Sequence, residues 1–160
     1  MIKSIAAFLC LLPLLAGCSP GCDIIMAGVF ERAPVAPDPG LQKTALDATH
    51  SLLAGRAGVR IRQETDELKA RLGRGFGFQY ALMGLVERKD LSATVLHPVM
   101  KQADGSVSSS QTLSWNTGLD SITWWFERRE ELLPGEWTLR IDYQGRPLCG
   151  KTFQVRVPYQ

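Results

Sequence analysis

Pro134-Gly135-Glu136-Trp137-Thr138-Leu139-Arg140-Ile141-Asp142-Tyr143-Gln144-Gly145 is the stretch that decides the fold. Trp137, Leu139, Ile141 and Tyr143 fall on one face of an extended chain, and Thr138, Arg140 and Asp142 on the other. A side-chain period of two is that of a strand with one face on a core. Turn residues close both ends. Proline presets φ and glycine accepts the conformations a turn requires, and Gln144-Gly145 offers a second reversal. The same alternation recurs downstream, where Phe153, Val155 and Val157 interleave with Thr152, Gln154 and Arg156.

Working upstream, Ile122, Trp124 and Phe126 share a face, as do Leu113 and Trp115. Leu91, Ala93 and Val95 form another run, which stops near His97-Pro98, and Phe76, Phe78, Tyr80 and Leu82 a further one. Val59 and Ile61 alternate with Arg60 and Arg62, and the apolar run Ile24 to Phe30 suits a buried first strand. Asp104-Gly105 and Asn116-Thr117-Gly118 are turn signals between these runs. Three prolines and a glycine between residues 33 and 40 make an extended loop. Leu41 to Leu53 reads as loop or short helix. Thr65 to Gly73 reads as a short helix, with Thr65 as N-cap, acids in the first turn and Gly73 just past the end. The sum is an all-β chain of about eight or nine short strands, expected to fold as an antiparallel β-sandwich. Trp124 and Trp137 are expected in its core.

The N-terminus carries an address. Lys3 precedes an apolar run from Ile5, and the run ends in Leu15-Ala16-Gly17-Cys18. The run is too short to cross a bilayer, which takes about 20 residues, and it has the layout of a secretory signal. Leu-Ala-Gly-Cys resembles the lipobox of bacterial lipoproteins. The resemblance implies cleavage between Gly17 and Cys18, and diacylation of the Cys18 thiol together with acylation of the new amino terminus. Ser19 in the next position implies export to the outer membrane, facing the periplasm. The expected organisation is a signal peptide at 1–17, a lipidated tether at 18–24 and one sandwich domain at 25–158.

Of the four cysteines, Cys10 leaves with the signal and Cys18 holds lipid, so Cys22 and Cys149 remain. In an oxidising compartment they are expected to form one disulfide. They lie 127 positions apart. Closing a loop of that length would stabilise the fold by ~4–5 kcal/mol in the chain-entropy account.

Gly73-Arg74-Gly75-Phe76-Gly77-Phe78-Gln79-Tyr80, the pair Trp125-Phe126-Glu127 and Glu131-Leu132-Leu133-Pro134-Gly135-Glu136-Trp137-Thr138, and the terminal Phe153-Gln154-Val155 carry a second resemblance. Together they are similar to an uncharacterised family of bacterial domains of unknown function, found in exported proteins and lipoproteins. The similarity covers roughly residues 25–157 and implies an immunoglobulin-like sandwich, with no activity attached. The chain departs from that family where Leu68-Lys69 replaces an Ile-Pro pair.

Composition narrows the function. The 160 residues are 45% hydrophobic and 21% charged, enough for a packed core. Eighteen basic residues against 16 acidic ones give a net charge of +2, too balanced for a nucleic-acid groove. The glycines at 73, 75 and 77 lack the Lys-Ser/Thr ending of a phosphate loop and precede a strand, so they read as a bulge or tight strand entry. His50 and His97, far apart and without nearby ligands, read as surface or turn residues; no metal, cofactor or catalytic residue is nominated. Glu127, Glu130, Glu131 and Glu136 with Arg128 and Arg129 read as a solvated charged corner, in which Glu131 and Glu136 cap a hairpin.

Trp125 is the candidate binding residue. It shares its face with Thr123 and Glu127, where an aromatic ring either stacks on a sugar, seats a partner protein, or lies under a neighbouring loop. The expected function is a lipid-anchored envelope module that binds or scaffolds an envelope protein or carbohydrate and touches the membrane through its lipid. Two alternatives stand beside it: an envelope hydrolase using Glu131 or Glu136, and an accessory subunit of an envelope complex.

Overall fold

Period-two stripes become ten strands among the residues that the computed structural model describes, which are 20–32, 52–55, 59–85, 90–101, 104–115 and 120–158. They are β1 (Gly21–Arg32), β2 (Leu52–Gly55), β3 (Val59–Glu64), β4 (Glu67–Lys69), β5 (Gly75–Met83), β6 (Leu91–Lys101), β7 (Val107–Trp115), β8 (Ser121–Trp125), β9 (Gly135–Tyr143) and β10 (Arg146–Arg156). One 3-10 turn, Arg129–Glu131, precedes β9. The strands form two five-stranded sheets, ordered β2-β8-β5-β1-β3 and β4-β10-β9-β6-β7. Every ladder is antiparallel except β4 on β10.

The sheets face each other across the residues that the alternation selected. Phe76, Phe78 and Tyr80 of β5, Ile122 and Trp124 of β8, Leu91, Ala93 and Val95 of β6, and Trp137, Leu139 and Ile141 of β9 share one buried cluster. Phe76 sits at its centre, with ring centroids 5.1 Å from Phe153, 5.4 Å from Phe126 and 5.9 Å from Trp137. Such tilted and edge-on pairs are each worth ~0.5–1.5 kcal/mol beyond the area they bury.

Several expectations are corrected. Thr65 to Gly73 is not helical. Thr65 Oγ1 does accept from Glu67 N–H at 3.1 Å, as a cap would, but the chain then runs extended as β4. Leu68 and Ala70 are buried while Glu67 and Lys69 are exposed, so period-two burial beside β10 prevails over local helix signals. Strand β1 begins at Gly21, inside the segment 18–24 assigned to the tether. Leu52–Gly55 is a strand on β8, where loop or helix is expected up to Leu53. Strand β6 does not stop at His97-Pro98. Its register on β7 shifts between Leu96 and Met100, the bulge that a proline without an N–H favours, and pairing resumes to Lys101.

Cys22 and Cys149 form a disulfide, with Cα atoms 5.6 Å apart. Because β1 and β10 lie in different sheets, the bridge clamps the two layers together. The Asp104-Gly105 turn also forms, with Ser106 N–H donating to Asp104 Oδ1 at 2.8 Å. Hydrogen bonds from Ser106 hold the Asp104 carboxyl below the usual carboxylate range. The Asn116-Thr117-Gly118 turn and His50 lie outside the described residues.

Candidate functional site

Sequence and structure part company at Trp125. Its partner in the ladder is Gly75, and Gly75 pairs in turn with Phe30. All three therefore lie in one row on the outer face of their sheet. Glycine leaves a slot, and the indole fills it: a Cβ built on Gly75 would lie 2.7 Å from Trp125 ring atoms. Trp125 is 2% exposed and Phe30 1% exposed, and Trp125 Nε1 donates to Thr123 Oγ1 at 3.0 Å. The face is polar in sequence as read, but its tryptophan is buried with its polar atom bonded. As a surface for a sugar or partner, Trp125 is withdrawn. One row along, a Cβ on Gly77 would meet Ile122 O at 2.0 Å, so β8 approaches β5 as only glycine allows.

His97 is also displaced from its expected place. It follows Leu91, Ala93 and Val95 in the inward register and is only 7% exposed. Its ring lies 5.2 Å from Trp137 and 5.8 Å from Trp124, and Nδ1 contacts the Pro98 carbonyl at 2.8 Å. Its neighbours are indoles and a backbone oxygen, which is the setting of a core histidine. Trp137 Nε1 donates to Leu133 O at 3.1 Å. Trp124 Nε1 is buried with no hydrogen-bond partner among the described residues.

The acidic corner is not uniformly solvated. Glu131 is 0% exposed. Its Oε2 accepts from the backbone N–H of Glu127 at 2.7 Å and of Arg128 at 3.0 Å, and its Oε1 accepts from Arg128 Nε at 2.9 Å. The carboxylate folds back over the start of the 3-10 turn and satisfies donors that the turn leaves open. Glu136 is exposed and accepts from Gln154 Nε2 across the sheet at 2.9 Å. One carboxylate is thus spent on backbone and the other on a cross-strand pair. This arrangement gives no support to paired acid-base work. It also explains the Glu-Leu-Leu-Pro-Gly-Glu-Trp stretch, in which Glu131 caps, Leu133 holds the indole N–H, and Glu136 ties β9 to β10.

Among the described residues, no group of three His, Cys, Asp or Glu side chains is placed to hold a metal ion. No described helix is long and apolar enough to cross a membrane. Lipidation and cleavage at Gly17 and Cys18 fall outside the described residues.

The site that sequence reading missed is basic. Val29 pairs with Gln63 and Phe30 with Ile61, so Arg62 is the extra residue of a β-bulge. Bulges re-aim side chains. Arg71 and Arg74 stand at the two ends of a turn closed by Arg74 N–H donating to Arg71 O at 3.1 Å. Gly73 occupies its third position with φ +77°, as a type II turn requires. The turn is pinned to the end of β8 by Gly73 N–H on Phe126 O at 2.8 Å and Phe126 N–H on Arg74 O at 3.0 Å. Arg62, Arg71 and Arg74 line a cleft of ≈ 380 Å³ beside Val29, Phe30 and Leu72. A second cleft of ≈ 330 Å³ shares Val29 and Arg74 and adds Lys69, Arg156 and the acidic Glu67, which pairs with Arg156. Only the bulge register and the turn bring these arginines together. The signal available in sequence was Arg71-Leu72-Gly73-Arg74, read there as a helix end.

Comparison with known proteins agrees with this architecture. The chain is similar to a solved structure, an immunoglobulin-like protein from Pseudomonas aeruginosa, with a TM-score of 0.63 and 26% identity. The match covers 88% of this chain and 99% of that one. No curated protein is significantly similar. The all-β, immunoglobulin-like sandwich expected from sequence is therefore the fold of this protein. A family of sequences described as a domain of unknown function, DUF3859, matches residues 21–155. With most of its length matched and its sandwich shared with an immunoglobulin-like protein, the chain belongs to the DUF3859 family.

Proposed function

We propose that this protein is a lipid-anchored binding module of the bacterial cell envelope, acylated on Cys18 after cleavage at Gly17 and exposed to the periplasm from the outer membrane. The observation that carries this reading is the disulfide between Cys22 and Cys149. Paired thiols of this kind belong to oxidising compartments, as an exported chain requires. Strand β1 starts three residues past the lipobox cysteine, so the tether is short and the domain sits close to the bilayer. Ile25 and Met83, 62% and 50% exposed, lie toward that end of the β1–β5 pair and suit a membrane-proximal position. A binding role is taken from what sandwich domains on tethers do, which is an analogy of fold. It is supported here by a preformed charged cleft rather than by any reacting group.

Fractionation of cells expressing Cys18→Ser tests the anchor. The substituted protein is expected in the soluble periplasmic fraction and the unaltered one in the membrane. Equal membrane association of both would overturn the reading.

A further inference from the structure

We propose that the end of the sandwich where the chain enters is seated in the headgroup layer of the bilayer that holds Cys18, with Met83 at the acyl boundary and Arg146 at the level of the lipid phosphates. The inference deepens the anchored-module reading and rests on it.

Chain length confines that end. Gly21 is the first residue of β1 and lies three positions past Cys18. Three residues span at most about 11 Å, so Gly21 cannot stand farther than that from the acylated residue. Met83 is opposite Gly21 in the ladder, and a Cβ built on Gly21 would lie 3.6 Å from Met83 Cε. Acylation of Cys18 therefore holds Met83 at the membrane surface.

The side chains there suit a lipid interface. Phe76, Phe78, Tyr80 and Leu82 pack toward the core, while Met83, next in line, turns outward and is 50% exposed. The β9–β10 hairpin reaches the same end. The Cys22–Cys149 bridge sets β10 level with β1. Further along, Phe76 pairs with Val29 of β1 and lies 5.1 Å from Phe153 of β10. The two strands thus run the same way, and the residues from Cys149 back to Arg146 carry the hairpin tip about 7–10 Å beyond the bridge. Arg146 and Pro147 are exposed at that tip, with Tyr143 and Leu148 half-buried beside them. Methionine offers apolar atoms to the acyl boundary, tyrosine sits at headgroup depth, and an arginine keeps its head among the phosphates of an anionic surface.

Charge sets the depth. Asp23 and Asp90 are exposed at this end as well. A carboxylate does not enter hydrocarbon without a large cost, so the seat is shallow.

The test uses the mature acylated protein in vesicles of phosphatidylethanolamine and phosphatidylglycerol, doped with a phosphatidylcholine brominated high on its acyl chains. It reads the quenching of one added tryptophan against the unsubstituted protein. Met83→Trp is expected to be quenched at least twofold more than Val99→Trp. Val99 is 69% exposed and lies about 25 Å along β6 from Leu91, which pairs with Tyr143. Arg146→Glu is expected to halve the quenching of Met83→Trp. Equal quenching at the two positions would overturn the proposal, as would indifference to Arg146→Glu. Blue-shifted Met83→Trp emission without quenching would overturn it in favour of a second copy or another protein covering that end. Quenching is read on protein that floats with the vesicles. Protein that does not float refutes the anchor and the seat together, whereas floating protein with an unquenched Met83→Trp refutes the seat alone.

Discussion

Replacing Glu131 with glutamine tests whether the buried carboxylate is a structural cap. The side chain is fully enclosed and accepts three hydrogen bonds, two from backbone N–H groups and one from Arg128 Nε. Hydrogen bonds to charged groups contribute ~1.5–3 kcal/mol each, and a donor left without a partner costs ~1–3 kcal/mol. Glutamine preserves the shape but carries one acceptor oxygen and an NH2 group. Whichever way the amide is turned, its NH2 faces either the two backbone donors or the guanidinium, so at least one charge-assisted bond becomes a donor–donor contact. The expected loss is about 2–4 kcal/mol; for Glu131→Ala, which strips the partner from a buried site entirely, it is about 3–5 kcal/mol. With a urea slope of ~1–3 kcal/mol/M, a 3 kcal/mol loss lowers the midpoint by roughly 1–3 M. Urea unfolding followed by tryptophan fluorescence measures this, because Trp124 and Trp137 are buried in the core. Glu136→Gln is the control: that residue is exposed with one cross-strand bond, so its change should stay within about 0.5 kcal/mol. If Glu131→Gln cost less than 1 kcal/mol, or no more than Glu136→Gln, the capping argument would be wrong.

Two further outcomes follow from the same packing. Substituting both Cys22 and Cys149 with serine should lower stability by ~4–5 kcal/mol, because the bridge closes a loop of 127 positions and joins the two sheets; a loss under 1 kcal/mol in equilibrium unfolding would refute this. Gly77→Ala should cost about 1–3 kcal/mol, since its Cβ would lie 2.0 Å from Ile122 O. Gly21→Ala, whose Cβ would meet only Met83 Cε at 3.6 Å, should stay within about 0.5 kcal/mol. Equal effects of the two in thermal melts would count against the close approach of β5 and β8.

Much of the fold was legible because one face of each strand is buried and the other is not. Phe76, Phe78 and Tyr80, or Trp137, Leu139 and Ile141, declare their strand, their face and their place in the core by alternation alone. The pairing of Cys22 with Cys149 followed from counting, once the other two cysteines were assigned to the leader and the lipid. Local signals failed where they competed with sheet formation. Thr65 supplies a cap-like hydrogen bond, yet the chain continues as β4, because Leu68 and Ala70 gain burial only in an extended conformation.

By itself, then, the sequence determined the all-β class, the two-layer core and the disulfide, since each depends on residue type and spacing along the chain. Tertiary structure alone decided which outward residues are covered and which charges meet. Trp125 is buried because a glycine from another strand lies beneath its ring, and Arg62 joins Arg71 and Arg74 because a bulge and a pinned turn bring separate strands together. Cross-strand registers of this kind are set by the whole sheet, so no single segment encodes them.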